Sequence, residues 1–411
     1  MAVAGTPSGE TSSGQRHGRR QLGLLVAEDL RWIGGSIYLR NLIRILASLP
    51  SSERPEVVLL GGASAQSALV RDLASFEFVK GVNPANELTA GLGLVGARME
   101  RWLWYAASRL PWPARSRGID LEFPVAKVER RPWPALYWIP DFQHAAMPQL
   151  FSPEERGWRD ATYARIAEQH AVLLLSSQAA LADFRRLHPG AKVRARVWSF
   201  CSSLGDSEGR GANPRDTYGL PEKFLYIPNQ FWVHKDHATS FRALGLLRAK
   251  GIAPTVVCTG LQEDYRHPEH FRQLMDDAYT SGVAGQIRCL GLVPREDQLE
   301  IFRHAAAVVQ PSLFEGWSTV VEDTKSLGRP LIVSDIAPHR EQTGADAYFF
   351  RPGSPEDLAR VLELVWPRLV PGPDLAAERA ALEATACRRP GLARAFMDIV
   401  EEAIEVDRNE R

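Results

Sequence analysis

The chain has no long apolar run. No stretch of about 18 consecutive apolar residues occurs in its 411 residues, so no segment reads as a transmembrane helix. Cysteine is scarce. The four cysteines, Cys201, Cys258, Cys289 and Cys387, lie more than ten residues apart, which excludes a Cys-x-x-Cys zinc or redox motif. Cys258 and Cys289 sit in strand-like apolar runs (VVCTG and IRCLGLV) and read as small buried hydrophobes. That usage fits a reducing, cytoplasmic setting. Charge of one sign is lacking too: 49 Lys and Arg balance 49 Asp and Glu, so the basic excess of an electrostatic nucleic-acid binder is missing. No Asp-x-Asp or His-x-x-x-His occurs, and no Walker lysine motif. The case for a metal-dependent site is correspondingly weak. The first 20 residues, MAVAGTPSGETSSGQRHGRR, lack the apolar centre of a signal peptide and are expected to form a disordered tail.

What is present is a soluble α/β pattern. The hydrophobic fraction is 45% and the charged fraction 24%, typical of globular proteins. The length suggests two domains of about 200 residues. Short apolar runs such as 21–29, 56–60, 134–139 and 171–176 alternate with helical spacings at 36–49, 63–75, 153–169 and 179–187. Such alternation indicates βαβ units and a mostly parallel sheet. A Gly-, Ser- and Pro-rich charged stretch, 206–222, reads as a linker. The alternation then restarts, from Phe224–Ile227 to a helix over 355–366, with terminal helices expected over 374–407. The expected layout is an N-terminal Rossmann-like domain (21–205), a second one (223–388) and a C-terminal helix (389–411). Two such domains leave a cleft between facing sheet edges, a preferred place for ligands.

The most informative segment is QPSLFEGWSTVVEDTKSLGRPLIVSDIAPHREQ, residues 310–342. A buried strand runs into a Pro–Ser turn, followed by Glu315, Gly316, a helix carrying Glu322, and a second strand. Ligands of open α/β sheets bind at that strand edge, and a helix N-terminus favours anions. Phosphate at the helix, with carboxylates facing hydroxyls, suits a molecule carrying both phosphate and sugar. Each residue also has a plainer reading. Thr319 and Glu322 have capping-box spacing, so Glu322 can serve its own helix. Glu315 lies in a loop where no cap is needed, and Gly316 permits close approach of a ligand.

Lys235, in IPNQFWVHKDH, follows a strand and precedes a helix; it can neutralise phosphate or stay a solvated loop lysine. Gly34-Gly35, with a helix capped by Ser36 after them, can turn backbone N–H groups toward phosphate or form a simple turn. Their spacing is not G-x-G-x-x-G, which argues against a nicotinamide dehydrogenase. His144, ending IPDFQH, sits at a strand edge and is a site candidate or a structural histidine, with Asp141 able to cap a turn. Residues 98–117 mix Trp102, Trp104, Tyr105 and Trp112 with arginines; they can lie on an anionic bilayer, giving peripheral membrane contact, or pack on their own domain.

Taken together, these residues resemble a retaining GT-B glycosyltransferase of the large group 1 (family 4) class. The likeness covers about residues 21–400 and is strongest from 224 to 342, where FEGWSTVVED and SLGRPLIVSD are similar to the family's carboxylate motif. The resemblance implies a GT-B fold of two Rossmann-like domains. It implies retaining hexosyl transfer from a nucleoside-diphosphate sugar to a glycan or lipid-linked hydroxyl, in cell-surface polysaccharide synthesis, without metal or cofactor. By it, Glu315 meets the donor sugar, Glu322 the ribose hydroxyls, and Gly316, Trp317, Ser318, Thr319 and Val320 line the diphosphate. Lys235 falls at the family's diphosphate lysine, Gly34 and Gly35 at its Gly-rich loop, and His144 at a histidine approaching the sugar. Two departures stand out. The family's spacing is Glu-x7-Glu, whereas six residues separate Glu315 from Glu322. The usual arginine five positions before the lysine is Gln230, which with Asn229 can donate amide hydrogen bonds. An epimerase of the same fold, or a non-catalytic nucleotide-sugar-binding or assembly partner, remains open as an alternative.

Overall fold

In a computed structural model of the chain the described residues are 19–26, 33–60, 67–82, 118–131, 133–204 and 211–410. The expected tail up to residue 18 and the aromatic stretch 98–117 lie outside them. The first sheet contains β1 (Gln21–Leu25), β2 (Glu56–Leu60), β3 (Val79–Val82), β4 (Leu121–Val125), β5 (Ala135–Ile139), β6 (Val172–Leu175) and β7 (Arg194–Val197) in the order β3-β2-β1-β4-β5-β6-β7. The second contains β8 (Phe224–Ile227), β9 (Thr255–Cys258), β10 (Ile287–Cys289), β11 (Ala307–Gln310), β12 (Leu331–Ser334) and β13 (Tyr348–Phe350) in the order β10-β9-β8-β11-β12-β13. Every strand pairing in both sheets is parallel. Strands buried on both faces need continuous apolar runs rather than alternation, and VLLL of β6 and FLYI of β8 supply them, all eight side chains being buried. Strand order reverses between β1 and β4 and between β8 and β11. Those two switch points set the position of the cleft.

Helices α1 (Ile33–Ala47), α2 (Ala68–Ala74), α3 (Gln143–Ala146), α4 (Pro153–Ala167) and α5 (Gln178–Leu187) belong to the first domain. Helices α6 (Pro214–Tyr218), α7 (His237–Arg248), α8 (His270–Thr280), α9 (Arg295–His304), α10 (Thr319–Ser326), α11 (Ala337–Thr343) and α12 (Pro355–Val365) follow, and α13 (Leu375–Glu410) ends the chain.

Three expectations need correction. Helix α1 begins at Ile33, so Gly34 and Gly35 lie in its first turn and Ser36 is not its cap. The second half of the expected linker is folded. Asn213 caps α6 with Pro214 at its start, Tyr218 Oη donates to Asp297 Oδ2 at 2.6 Å, and Leu220 is buried in the second domain's core. Finally, no break falls at 388. Helix α13 is one 36-residue element that changes domain along its length. Leu382 packs on the second domain's core, whereas Ala393, Phe396, Val400 and Ile404 are buried in the first domain's core. Pro390, which lacks an N–H to give, lies inside the helix between those two contacts.

Among the described residues no helix is long and apolar enough to cross a membrane.

Candidate functional site

The cleft between the two sheets holds a cavity of about 300 Å³. Its first-domain wall is built from Gly34 and Tyr38 of α1, and from Trp138, Pro140, Asp141 and Gln143 at the end of β5. The second-domain wall comes from four loops, of which the one after β9 contributes Thr259 and Gly260. The loop after β8 contributes Asn229, Gln230 and Lys235; the one before α9 contributes Leu292 and Val293; the one after β11 contributes Glu315 to Ser318, with Thr319 and Val320 opening α10. All four loops leave the C-terminal ends of parallel strands, where the chain turns from sheet to helix.

Lys235 and Glu315 meet at the centre. Lys235 Nζ donates to Glu315 Oε1 at 2.6 Å, across 80 residues of sequence. Burial alone pushes the Glu315 carboxyl up, but Lys235, with lesser help from His339 and His234, more than offsets it and holds the group at about 2. Glu315 is therefore a carboxylate at neutral pH. Lys235 is placed by a short turn, Val233–Lys235, ending at Asp236, whose left-handed backbone (φ 52°) starts α7 while its side chain accepts from Thr239 N. His234, within that turn, and His237, just after it, are buried and kept neutral by burial at pH 7.

Helix α10 points its N-terminus at the same space. Ser318 is its cap and accepts from Val321 N, and Thr319 and Val320 form its first turn at the cavity wall. N–H groups in a first turn have no partner within the helix and attract negative charge. Gln230, where the resemblance implies an arginine, lines the cavity too, and its Nε2 has no hydrogen-bond partner among the described residues.

Three expected site residues do not border the cavity: Gly35, although Gly34 beside it does, His144 and Glu322. His144 is 3% exposed, packs edge-on against Tyr163 and Phe151, and places Nε2 3.1 Å from Asp160 Oδ1. Its neighbours Asp141 and Gln143 reach the cavity instead, and Asp141 Oδ1 accepts from Gln143 N as a turn cap. Glu322 is 1% exposed and accepts from Gln342 Nε2 at 3.1 Å and Lys325 Nζ at 3.3 Å. Burial pushes its carboxyl up, against the pull of Lys325 and Gln342. It does not form a capping box with Thr319, because the cap is Ser318.

The α10 carboxylate that lines the cavity is Asp323, although it too is buried, at 2% exposure. One residue further along α10 is a turn of about 100° around the helix axis, enough to move a side chain from the α11 side to the cleft side. Asp323 Oδ1 accepts from Ser202 Oγ at 2.5 Å and Oδ2 pairs with Arg295 at 2.8 Å. Seven residues separate Glu315 from Asp323. Counting the family's Glu-x7-Glu spacing with aspartate allowed at the second place would have found it.

The domains are drawn together around this cavity. Gly316 lies against the first domain; a Cβ there would run into the Pro140 carbonyl and come within 2.9 Å of Asp141 Cβ. Its lack of a side chain thus serves domain contact, where a ligand approach was expected. Trp317 Nε1 donates to Phe200 O at 3.0 Å. Glu341 of α11 accepts from Gln178 N and Ala179 N, at 2.9 Å to the former, at the N-terminus of α5. Among the described residues no three His, Cys, Asp or Glu side chains converge in a way that could hold a metal ion.

Residues 222–366 match the family model described as glycosyl transferases group 1. No curated protein matches the chain. Among solved structures, HepE from Anabaena in complex with UDP and glucose is 15% identical and superposes with a TM-score of 0.59 over 95% of this chain and 99% of its own. Sucrose-phosphate synthase from Thermosynechococcus elongatus is 16% identical, with a TM-score of 0.58 over 95% and 99%. A glycosyltransferase from Rickettsia africae is 14% identical, with a TM-score of 0.58 over 94% and 99%. The chain therefore has the GT-B architecture of two facing parallel α/β domains, and its second domain carries the likeness to group 1 glycosyl transferases.

Proposed function

We propose that the protein transfers a hexosyl group from a nucleoside-diphosphate sugar to a hydroxyl of a glycan or lipid-linked acceptor, with retention at the anomeric carbon. The observation that carries this reading is the Lys235–Glu315 pair facing the N-terminus of α10 inside the segment that matches group 1 glycosyl transferases. As the bond between sugar and phosphate breaks, negative charge grows on the diphosphate. Lys235 and the first-turn N–H groups of α10 stabilise that charge, which is catalysis aimed at the leaving group. Glu315 accepts hydrogen bonds from the donor sugar, and Gln230 gives an amide hydrogen bond where the family has an arginine. Asp323, with Arg295 beside it, takes the ribose hydroxyls in place of Glu322. The acceptor enters along the first-domain wall between Gly34 and Gln143. Cell-surface polysaccharide synthesis, at the inner face of the membrane, is the setting this chemistry suits.

Thermal-shift screening against UDP-, GDP-, ADP- and dTDP-sugars identifies the donor, since a ligand of the native state raises apparent stability by mass action. A UDP-sugar comes first, because HepE was solved with UDP-glucose. With that donor and an acceptor panel, Lys235→Ala and Glu315→Ala should each lower kcat/KM about tenfold to a hundredfold, the cost of one charged hydrogen bond to a ligand. Wild-type kcat/KM in both variants would remove the site. Sugar inversion without any acceptor would reassign the protein as an epimerase, and donor binding without turnover as a non-catalytic binder.

A further inference from the structure

Gln310 ends β11 and is fully buried, between apolar Val309 and Pro311. An amide in that place costs free energy unless each of its groups is paired, and here each is. Its Oε1 accepts from Asn229 Nδ2 at 2.8 Å. Its Nε2 donates to Glu315 Oε1 at 2.8 Å and to Ser312 Oγ at 3.1 Å. Lys235 Nζ reaches the same Glu315 oxygen. Two donors, one at the end of β11 and one on the turn after β8, therefore converge on one carboxylate oxygen.

The convergence matters once a donor binds. Lys235 cannot serve a diphosphate and hold Glu315 at full strength together. If it turns to the phosphate, Glu315, with its side chain only 8% exposed, loses its cationic partner. A buried carboxylate without compensation takes up a proton or shifts. The other groups facing it are His234, on the Val233–Lys235 turn, and His339, on α11. Burial lowers both imidazoles' pKa, so that both are neutral at pH 7, and His339 Nδ1 is engaged by Ser334 O at 2.8 Å. The Gln310 amide is what stays on Glu315.

We propose that Gln310 is a positioning residue, whose amide, oriented by Asn229, keeps Glu315 ionised and in place while Lys235 moves from it to the diphosphate. The proposal rests on the donor-binding reading of the site and adds to it a residue that touches no substrate. Gln310→Met keeps the length and removes the donor; Lys235 is then retained by Glu315, and donor affinity falls. Gln310→Glu puts a second carboxylate against the first, and the pair shares a proton.

The test has two arms. Calorimetric titration of UDP-glucose and GDP-mannose into wild type, Gln310→Met and Gln310→Glu is run from pH 4.5 to 8, with melting curves alongside. Gln310→Met should bind about tenfold more weakly at pH 7, and lose binding at a higher pH than wild type as the medium is acidified. Gln310→Glu should move that limb further up. Wild-type affinity and pH profile in Gln310→Met overturn the proposal, as does a loss that is equal at every pH and follows the melting temperature. The second arm needs no donor. In Lys235→Met, where the lysine is permanently removed, isotope-edited infrared follows the Glu315 carboxyl, identified by its disappearance in Glu315→Gln. It should stay ionised to a lower pH with Gln310 present than in Lys235→Met/Gln310→Met. Identical titrations sink the Gln310 role. Failure of wild type to bind either sugar nucleotide counts against the donor reading alone.

Discussion

Adjacent residues on α10 face different worlds. Glu322 is enclosed by Gln342 and Lys325, and Asp323 reaches the cavity with Ser202 and Arg295. If Asp323 meets the donor, Asp323→Asn should raise the donor KM by about tenfold or more, the weight of a charged hydrogen bond. Glu322→Gln should leave KM within about twofold and act on stability instead. The reverse order in steady-state kinetics would return the role to Glu322.

A second prediction concerns His237, which is fully buried, stacks on Phe231 with ring centroids 4.1 Å apart, and has no partner for either ring nitrogen among the described residues. Burial foremost, with His270 and Lys235 adding to it, lowers its pKa from 6.5 to about 3. A depressed histidine pKa means the unfolded state binds more protons below pH 6.5. The stability this group contributes is therefore whole above about 6.5 and drains away as pH falls toward 3, at about 1.4 kcal/mol per unit. His237→Phe should raise the melting temperature at pH 7 and flatten its decline between pH 6.5 and 5. An unchanged slope in melting curves would show that His237 does not titrate on unfolding.

At the scale of elements, much of the cavity's second-domain lining was legible because strand-then-helix punctuation says where chain ends gather. FEGWSTVVED after a buried strand gave Glu315 and the start of α10, and IPNQFWVHKDH gave Lys235. The sequence could not say which face of a helix looks into the cleft. That depends on the packing of α10 against its neighbours, and it separates Asp323 from Glu322. Nor could it distinguish His144 from Gln143, because α3 is a single turn whose direction is set by the aromatic rings of Tyr163 and Phe151. Helix α11 went unseen for a similar reason. It is seven residues long and lacks a capping side chain, yet its Glu341 bonds to the N-terminus of α5 across the cleft. That contact and the bare Cα of Gly316 both depend on the closed arrangement. Gly316→Ala should force the loop off Pro140 and cut kcat/KM about tenfold or more, because small misplacements in a site are costly. Glu341→Ala, outside the cavity, should widen the solution envelope measured by X-ray scattering and leave each domain's fold intact. A Gly316→Ala enzyme with wild-type kcat/KM would show that the contact plays no part in turnover.

For the whole molecule, the last helix decides what a domain is. From sequence, the second domain is expected to end at 388. In the structure α13 continues through it and fills the first domain's core. Phe396 is fully buried, with its ring 5.1 Å from Trp198 and 5.4 Å from Phe123. At the helix surface Arg20 holds Glu401 by two bonds of 2.6 and 2.7 Å, and Arg196 holds Glu402 by two of 2.6 and 2.8 Å. Those exposed ion pairs are worth little individually; the apolar stripe is what binds. Phe396→Ala should therefore cost about 3–5 kcal/mol, and the loss should appear in the first domain although the residue lies beyond the second. Hydrogen exchange resolves where it falls. Faster exchange in β1, β4 and β5, with β8 and β11 unchanged, is the expected pattern. Loss of protection in β8 and β11 instead would mean that the helix belongs energetically to the second domain, and that the two halves of the cleft are not joined through its C-terminal end.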